Sequence, residues 1–158
     1  MRHILEIQKK AFLENGQPTY NQRLDSLKRC IALLETHDEQ IVETLNEDFK
    51  NRSHQEIMTS EVIQSIRNLN FTIKNLKKWM KPKKVKGELF LPFTSSRIML
   101  EPKGQVFIIG PFNYPFQLVI EPLIGAMAAG NTVILKPSEF TPHVSRIIKK
   151  MIEAFFPS

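Results

Sequence analysis

The stretch VFIIGPFNYP, residues 106–115, decides the fold class of this chain. Its first four residues, Val106–Ile109, form a continuous apolar run, which is typical of a strand buried on both faces of a parallel sheet. Gly110 and Pro111 interrupt that run and indicate a turn. The pattern therefore predicts a buried strand that ends in a loop carrying Asn113.

A helix and a second strand follow this loop. The helical pattern extends from about Phe116 to Ala129 and ends at Gly130 and Asn131, a common helix C-cap. The next apolar run, residues 132–135, predicts another buried strand. Because the connection is long enough for a right-handed parallel crossover, we predict an α/β protein with a Rossmann-like sheet.

Residues 103–158 contain two such strands and end with one more helix. Thr141 and Pro142 predict the cap and first position of that helix. Its predicted apolar face consists of Ile147, Ile148, Met151 and Phe155. Two parallel strands leave unpaired edges and uncovered faces, so we expect the 158-residue chain to be a truncated piece of a larger domain.

Residues 1–81 are predicted to form a helical segment. Capping-box patterns begin at Thr19, Thr36 and Ser53, and each predicts the start of a helix. The helices have apolar stripes at helical spacing. The stripe residues are Ile4, Ile7 and Ala11; Leu24, Leu27, Ile31 and Leu34; Ile41, Leu45 and Phe49; and Val62, Ile66, Leu69, Ile73 and Leu76.

Residues 82–102 separate the helical segment from the sheet. Two short apolar runs, Leu89–Leu91 and Ile98–Leu100, predict two strands joined by a loop, and a turn follows at residues 101–104. We interpret this segment as a β-hairpin.

The composition favours a cytoplasmic protein without a membrane span. No apolar run approaches the roughly 20 residues that cross a bilayer, and charge interrupts the N-terminus too early for a signal peptide. The net charge is +6, and six lysines surround Trp79 within residues 77–86. Such a run fits a nucleic-acid patch or a solvated helix end; without a nucleic-acid fold signature we favour the solvated end. The four histidines have no metal-site spacing, so no metal is predicted.

Polar residues follow both predicted sheet strands. Ligands of parallel sheets bind beyond the carboxyl ends of the strands, where Asn113 could donate a hydrogen bond. Lys136 could hold an anionic or hydroxyl-rich ligand, and Glu139 could accept from a ribose hydroxyl. Alternatively, Asn113 caps the following helix and Lys136 is simply solvated. Neither a GxGxxG loop nor a Walker motif occurs.

Residues 102–115 and 125–139 resemble two ordered, correctly spaced blocks of the aldehyde dehydrogenase family, around its N-Y/F-P turn and its L-K-P-S-E motif. The form of the turn and the helical lead-in are most similar to the class 3, fatty-aldehyde and coniferyl-aldehyde branch. The resemblance covers essentially the whole chain, as an N-terminal fragment, and implies that the hairpin belongs to an oligomerisation domain.

The resemblance implies NAD(P)-dependent oxidation of a small-molecule aldehyde to a carboxylic acid. In that family a cysteine thiolate attacks the aldehyde, hydride passes to the nicotinamide, and a glutamate assists hydrolysis of the thioester. Asn113 is then the oxyanion donor and the chain's catalytic residue. The implied cofactor-binding residues are Ile109, Gly110, Pro111 and Phe112 on the nicotinamide side, with Lys136, Ser138 and Glu139 on the adenosine side. Because Glu139 would repel a 2′-phosphate, NAD is favoured over NADP.

The family's nucleophilic cysteine, general-base glutamate and later glycine-rich turn have no counterpart here. Cys30 is the only cysteine, and its apolar helical neighbours indicate a buried structural thiol. We therefore expect the chain alone to be inactive, to bind nucleotide weakly, and to form a homo-oligomer or need a complementary chain. The alternatives are a non-catalytic remnant acting as a protein-interaction module and a basic nucleic-acid or membrane-surface binder.

Overall fold

The computed structural model describes residues 2–87 and 94–156. The elements follow one another as helices, a hairpin and a strand–helix–strand–helix unit. They are α1 (Arg2–Asn15), α2 (Tyr20–Phe49), α3 (His54–Ile57), a π-helical segment (Met58–Ile63), α4 (Gln64–Trp79), β1 (Lys83–Val85), β2 (Ser96–Ile98), β3 (Gln105–Ile109), α5 (Gln117–Ala129), β4 (Thr132–Lys136) and α6 (Pro142–Phe155).

The predicted parallel crossover is confirmed. β3 and β4 pair in parallel, with Gln105 opposite Thr132, and α5 connects them. Gly130 caps α5 in the left-handed region, at φ 85°, and a side chain there would collide with the buried guanidinium of Arg23. That guanidinium donates to Ala129 O at 2.9 Å, and so ties the start of α2 to the end of the crossover helix.

One of the predicted capping boxes lies inside a helix. The first box is present, because Thr19 accepts from Gln22 N and Gln22 accepts from Thr19 N. The prediction of a new helix at Thr36 is wrong, since α2 is continuous for 30 residues. The Thr36 hydroxyl donates back to Ala32 O at 2.6 Å, as threonines inside helices often do. Burial of Leu33, Leu34, Ile41 and Val42 against neighbouring helices outweighs the local capping signal.

The third box does begin a helix, and the predicted apolar stripe that follows it faces the core. Ser53 accepts from Glu56 N at 3.1 Å, and the helix then widens into the π segment. A π turn contains one residue more than an α turn and therefore rotates the side chains that follow it. The predicted Val62, Leu69 and Leu76 are buried, whereas the predicted Ile66 and Ile73 are partly buried against the core. Further buried positions on this face are Ile57, Glu61, Ser65 and Thr72.

The first strand of the hairpin, β1, was not predicted from the sequence. β1 and β2 are antiparallel, with Lys83 opposite Ile98 and Val85 opposite Ser96. The predicted strand Leu89–Leu91 lies outside the described residues. The predicted strand at Ile98–Leu100 is wrong beyond Ile98, because Met99 and Leu100 follow β2 as exposed residues. Backbone pairing with β1 ends at Ile98, so β2 ends there as well. A prediction from hydrophobicity alone placed the strand too far along the chain.

The sheet is covered mainly on one face. Ile108 points to the core under α5, but Phe107 and Ile109 on the opposite face are 46% and 65% exposed. Burial of β3 on both faces is therefore not observed in this chain. Helix α1 approaches the second face, where Gln105 Nε2 donates to Leu5 O at 2.7 Å. The main core lies on the other side, where α2 packs against α4, α5 and α6.

The N-terminus of α6 is capped by a distant residue. The Thr141 side chain makes no capping bond, which corrects the prediction of a local cap. Instead, the Asp48 carboxylate at the end of α2 accepts from Val144 N at 2.9 Å and from His143 N at 3.3 Å. Proline at the first position of α6 is confirmed. Asp48 thus fixes the helix that follows the KPSE loop.

Candidate functional site

The loops that follow β3 and β4 lie side by side, as the parallel topology predicts. Gly110 N donates to Lys136 O at 2.9 Å, so the two strand ends are joined directly. Beyond them, the rings of Phe112 and Phe140 meet edge to face with centroids 6.2 Å apart. The two predicted ligand-binding segments therefore form one continuous surface at the carboxyl end of the sheet.

Gly110 sets the path of the first loop. A Cβ at this position would lie 2.2 Å from Val119 Cγ2 of α5. Real Cβ atoms essentially never lie closer than 3.0 Å to another heavy atom, and Val119 is fully buried. Only glycine lets the chain turn this close to the crossover helix and bring residues 111–113 to the surface.

Asn113 occupies an exposed position in this loop. Within the described residues its side-chain amide has no hydrogen-bond partner, whereas its backbone carbonyl accepts from Arg52 Nη2. The alternative that Asn113 caps the next helix is not supported, because Phe116 is the N-cap of α5 and the free N–H groups there bond elsewhere. The Asn113 side chain is therefore exposed and not used as a helix cap.

Lys136 and Glu139 lie at the end of β4 as an exposed ion pair. Lys136 Nζ is 2.5 Å from Glu139 Oε2. The hydrogen bond from Lys136 lowers the pKa of the Glu139 carboxyl, so the pair presents an ammonium and a carboxylate to solvent. The Ser138 side chain is buried instead, and its hydroxyl accepts from Phe140 N at 3.2 Å. Ser138 shapes the turn on which the ion pair is mounted.

Apolar surface borders these polar groups. Ile109 and Phe112 are 65% and 58% exposed and flank the turn at Gly110. An amide, an ion pair and apolar side chains together suit a ligand with both hydroxyl-bearing and flat aromatic parts. In residues 2–87 and 94–156, no group of His, Cys, Asp and Glu side chains is arranged to hold a metal ion.

Two charged residues behind the loop, the buried Glu61 and the partly buried Arg52, were not predicted from the sequence. Glu61 is fully buried, and its Oε2 accepts from Phe116 N at 2.9 Å and from Gln117 N at 3.0 Å. Its Oε1 accepts from Arg52 Nη1 at 2.8 Å. Burial raises the pKa of the Glu61 carboxyl, and these three N–H donors oppose that rise. One feature of the sequence could have identified Glu61. It lies four residues from both Ile57 and Ser65, so all three share one face of a helix.

Cys30 is not part of this exposed surface. Its side chain is fully buried, and burial raises the pKa of the thiol to about 12. A thiol with such a pKa holds its proton at neutral pH and is a poor nucleophile. The prediction that Cys30 is buried is confirmed.

Comparison with known proteins supports the sequence resemblance along the full chain. The sequence profile of the aldehyde dehydrogenase family matches residues 1–158. The 4,4'-diaponeurosporen-aldehyde dehydrogenase of Staphylococcus aureus is 43% identical over 148 residues, which are 93% of this chain and 32% of that protein. A probable coniferyl aldehyde dehydrogenase of Caulobacter vibrioides is 40% identical over 159 residues, covering 99% of this chain and 33% of that protein.

The fold agrees with these relatives. The substrate-bound structure of Staphylococcus aureus AldH superimposes with a TM-score of 0.92 at 40% identity, covering 99% of this chain and 34% of that one. The helices and the parallel strand–helix–strand unit match the N-terminal portion of an α/β oxidoreductase fold. This chain belongs to the aldehyde dehydrogenase family, and it spans about a third of the length of the relatives that it matches. No helix in the described ranges is long and apolar enough to cross a membrane.

Proposed function

We propose that this chain supplies the oxyanion donor and the adenosine-side cofactor contacts for NAD(P)-dependent oxidation of an aldehyde to a carboxylic acid. The observation that carries the proposal is the exposed Asn113 amide, which has no partner among the described residues and lies in the loop joined to the Lys136 turn. Membership of the aldehyde dehydrogenase family supports the reaction class.

Asn113 acts on the carbonyl oxygen of the aldehyde. When a thiolate adds to the carbonyl carbon, that oxygen gains negative charge, and the Asn113 amide donates a hydrogen bond to it. A donor already held in place stabilises the transition state more than the ground state, by about 3 kcal/mol for a single donor. The anchored backbone at Asn113 supports this role, because little reorganisation is then needed.

Lys136 and Glu139 bind the ribose of the cofactor through its hydroxyl groups. The exposed ammonium and carboxylate fit that task, since one donates and the other accepts. The backbone of residues 109–112 and the exposed apolar side chains of Ile109 and Phe112 line the nicotinamide side. The cofactor, when bound, supplies the hydride acceptor. The negative charge of Glu139 favours NAD over the 2′-phosphorylated NADP.

The nucleophile and the general base come from outside these 158 residues. The single cysteine of the chain is buried and has a raised pKa, so it does not attack an aldehyde. The chain alone is therefore inactive and functions together with a part that carries the thiolate.

A complementation experiment tests the proposal. The chain is co-expressed with the portion of the Staphylococcus aureus relative that follows its matched third, and aldehyde-dependent formation of reduced nucleotide is measured. We expect oxidation with the wild-type chain. Asn113→Ala should lower kcat by roughly 10²- to 10³-fold with little change in KM. The exposed Asn51 offers a matched control, and Asn51→Ala should leave the rate unchanged. Equal rates for Asn113→Ala and wild type would contradict the assignment.

A second function, as a protein-interaction module without catalysis, is favoured by the exposed apolar face of β3. Phe107 and Ile109 together offer a surface that strand or helix partners could cover. A stable, monodisperse oligomer that binds no nucleotide and is not rescued by the complementary portion would favour this alternative.

A further inference from the structure

The loop that carries Asn113 is held from behind by a partly buried ion pair between Arg52 and Glu61. Arg52 Nη1 donates to Glu61 Oε1 at 2.8 Å, and the two side chains are 14% and 0% exposed. Arg52 Nη2 donates in turn to the backbone carbonyl of Asn113. One guanidinium therefore connects the buried carboxylate to the proposed oxyanion donor.

The guanidinium has little freedom to move. Its central carbon lies 3.9 Å from the ring centroid of Phe49 and 4.9 Å from that of Tyr114, the residue after Asn113. Aromatic faces attract a guanidinium, and its planar fork fixes the directions of both hydrogen bonds. The cation is thus held by two rings, a carboxylate and the loop itself.

Glu61 fixes the other side of the loop. Its Oε2 accepts from Phe116 N and Gln117 N, the first free N–H groups of α5. It reaches them from the π segment Met58–Ile63, a distortion that is frequent at functional sites. Residues 113–117 are consequently bound at a carbonyl on one side and at two amides on the other. The Asn113 side chain has no hydrogen-bond partner in the described part of the chain.

We infer that Arg52 and Glu61 are positioning residues for the Asn113 amide; this inference rests on the proposed function. Arg52 and Glu61 hydrogen-bond to each other and to backbone groups of the loop. Arg52 also contacts two aromatic rings and lies 3.8 Å from the Glu56 carboxylate. Neither residue therefore needs to touch the substrate, and both act through Asn113. Lysine at position 52 would keep the charge near Glu61, but a single ammonium cannot reproduce the two fixed directions. The loop would then keep its fold and lose the fixed position of the amide.

The first test uses the full 158-residue chain and NMR. The order parameter of the Asn113 side-chain amide and the hydrogen-exchange protection of Phe116 N and Gln117 N are compared in wild type, Arg52→Lys and Arg67→Lys. Arg67 is an exposed arginine on α4 and serves as the matched control. We expect Arg52→Lys to lower the order of the Asn113 amide and Arg67→Lys to change nothing. Unchanged order in Arg52→Lys overturns the inference. If that variant does not fold, Glu61→Gln gives the same comparison.

The second test is a double-mutant cycle in the complemented enzyme. Arg52→Lys should lower kcat roughly 10- to 100-fold with KM retained, as expected for a displaced catalytic group. In the Asn113→Ala background the same change should have no further effect on kcat, because there is no amide left to position. If Arg52→Lys lowers kcat by the same factor in the wild-type and Asn113→Ala backgrounds, Arg52 has a structural role. That result would overturn the inference, while the proposed function stands. If wild type oxidises no aldehyde, the proposed function fails, and the NMR result alone decides on positioning.

Discussion

Replacing Asp48 with alanine should destabilise the chain through helix α6, which begins 94 residues further along. The carboxylate accepts from Val144 N at 2.9 Å and His143 N at 3.3 Å, with sequence separations of 96 and 95. Loss of a helix N-cap costs about 0.5–2 kcal/mol. Removal of negative charge from the N-terminus adds about 0.3–1 kcal/mol. Because Asp48 is half-buried, we expect a total near 2 kcal/mol.

Urea unfolding followed by circular dichroism measures this loss. With a slope of about 2 kcal/mol per M, typical of small proteins, the midpoint should fall by about 1 M at unchanged slope. Asp48→Asn keeps one acceptor oxygen and should lose about half as much. Protein concentration must be the same in all samples, because association alters apparent stability.

Two controls identify the cap. Glu43 is an exposed carboxylate on the same helix, and Glu43→Ala should change the free energy of unfolding by less than about 0.5 kcal/mol. Thr141→Val removes the hydroxyl that was predicted to cap α6 and should likewise have a small effect. If Thr141→Val costs as much as Asp48→Ala, or if Asp48→Ala costs no more than Glu43→Ala, the assignment of the cap to Asp48 is refuted.

Four further predictions follow from the buried groups and the uncovered sheet. The purified chain should oxidise no aldehyde; turnover that disappears in Cys30→Ala would show that Cys30 is a nucleophile after all. Calorimetry should detect weak or no NAD binding, because the pyrophosphate lacks a glycine-rich helix N-terminus, and micromolar affinity would contradict this. Light scattering at micromolar concentration should reveal association through the exposed face around Phe107 and Ile109, so a cooperatively melting monomer would argue against it. Finally, burial raises the pKa of the Glu61 carboxyl. In the folded chain this carboxyl therefore keeps its proton at pH values above its pKa in the unfolded chain, which is about 4.3. The free energy of unfolding of wild type relative to Glu61→Gln should therefore fall as pH rises through this window, and a difference that grows with pH would be inconsistent with the raised pKa.

Local signals in the sequence determined the strand–helix–strand unit. Apolar runs at 106–109 and 132–135, with Gly130 between them, specify the elements and the C-cap without help from distant residues. The same applies to the first capping box at Thr19, where both bonding partners are three residues apart. Since parallel strands place their carboxyl ends at one edge, the proximity of the Asn113 and Lys136 loops also followed from the order of the elements.

Other features depended on partners that only the folded chain brings together. The box at Thr36 has the same local pattern as the one at Thr19, yet α2 continues because its apolar face packs on three other helices. The apolar run predicted a hairpin strand at residues 98–100, but backbone pairing with β1 places the strand at residues 96–98.

The charged groups that organise the candidate site were invisible to local reasoning for the same reason. Glu61 reaches amides 55 and 56 residues away, Arg52 reaches a carbonyl 61 residues away, and Asp48 caps a helix 95 residues away. On an exposed surface each of these side chains would be an ordinary solvated charge. Burial removes water as the competing partner, and only the tertiary structure decides which side chains lose that water and which backbone groups replace it.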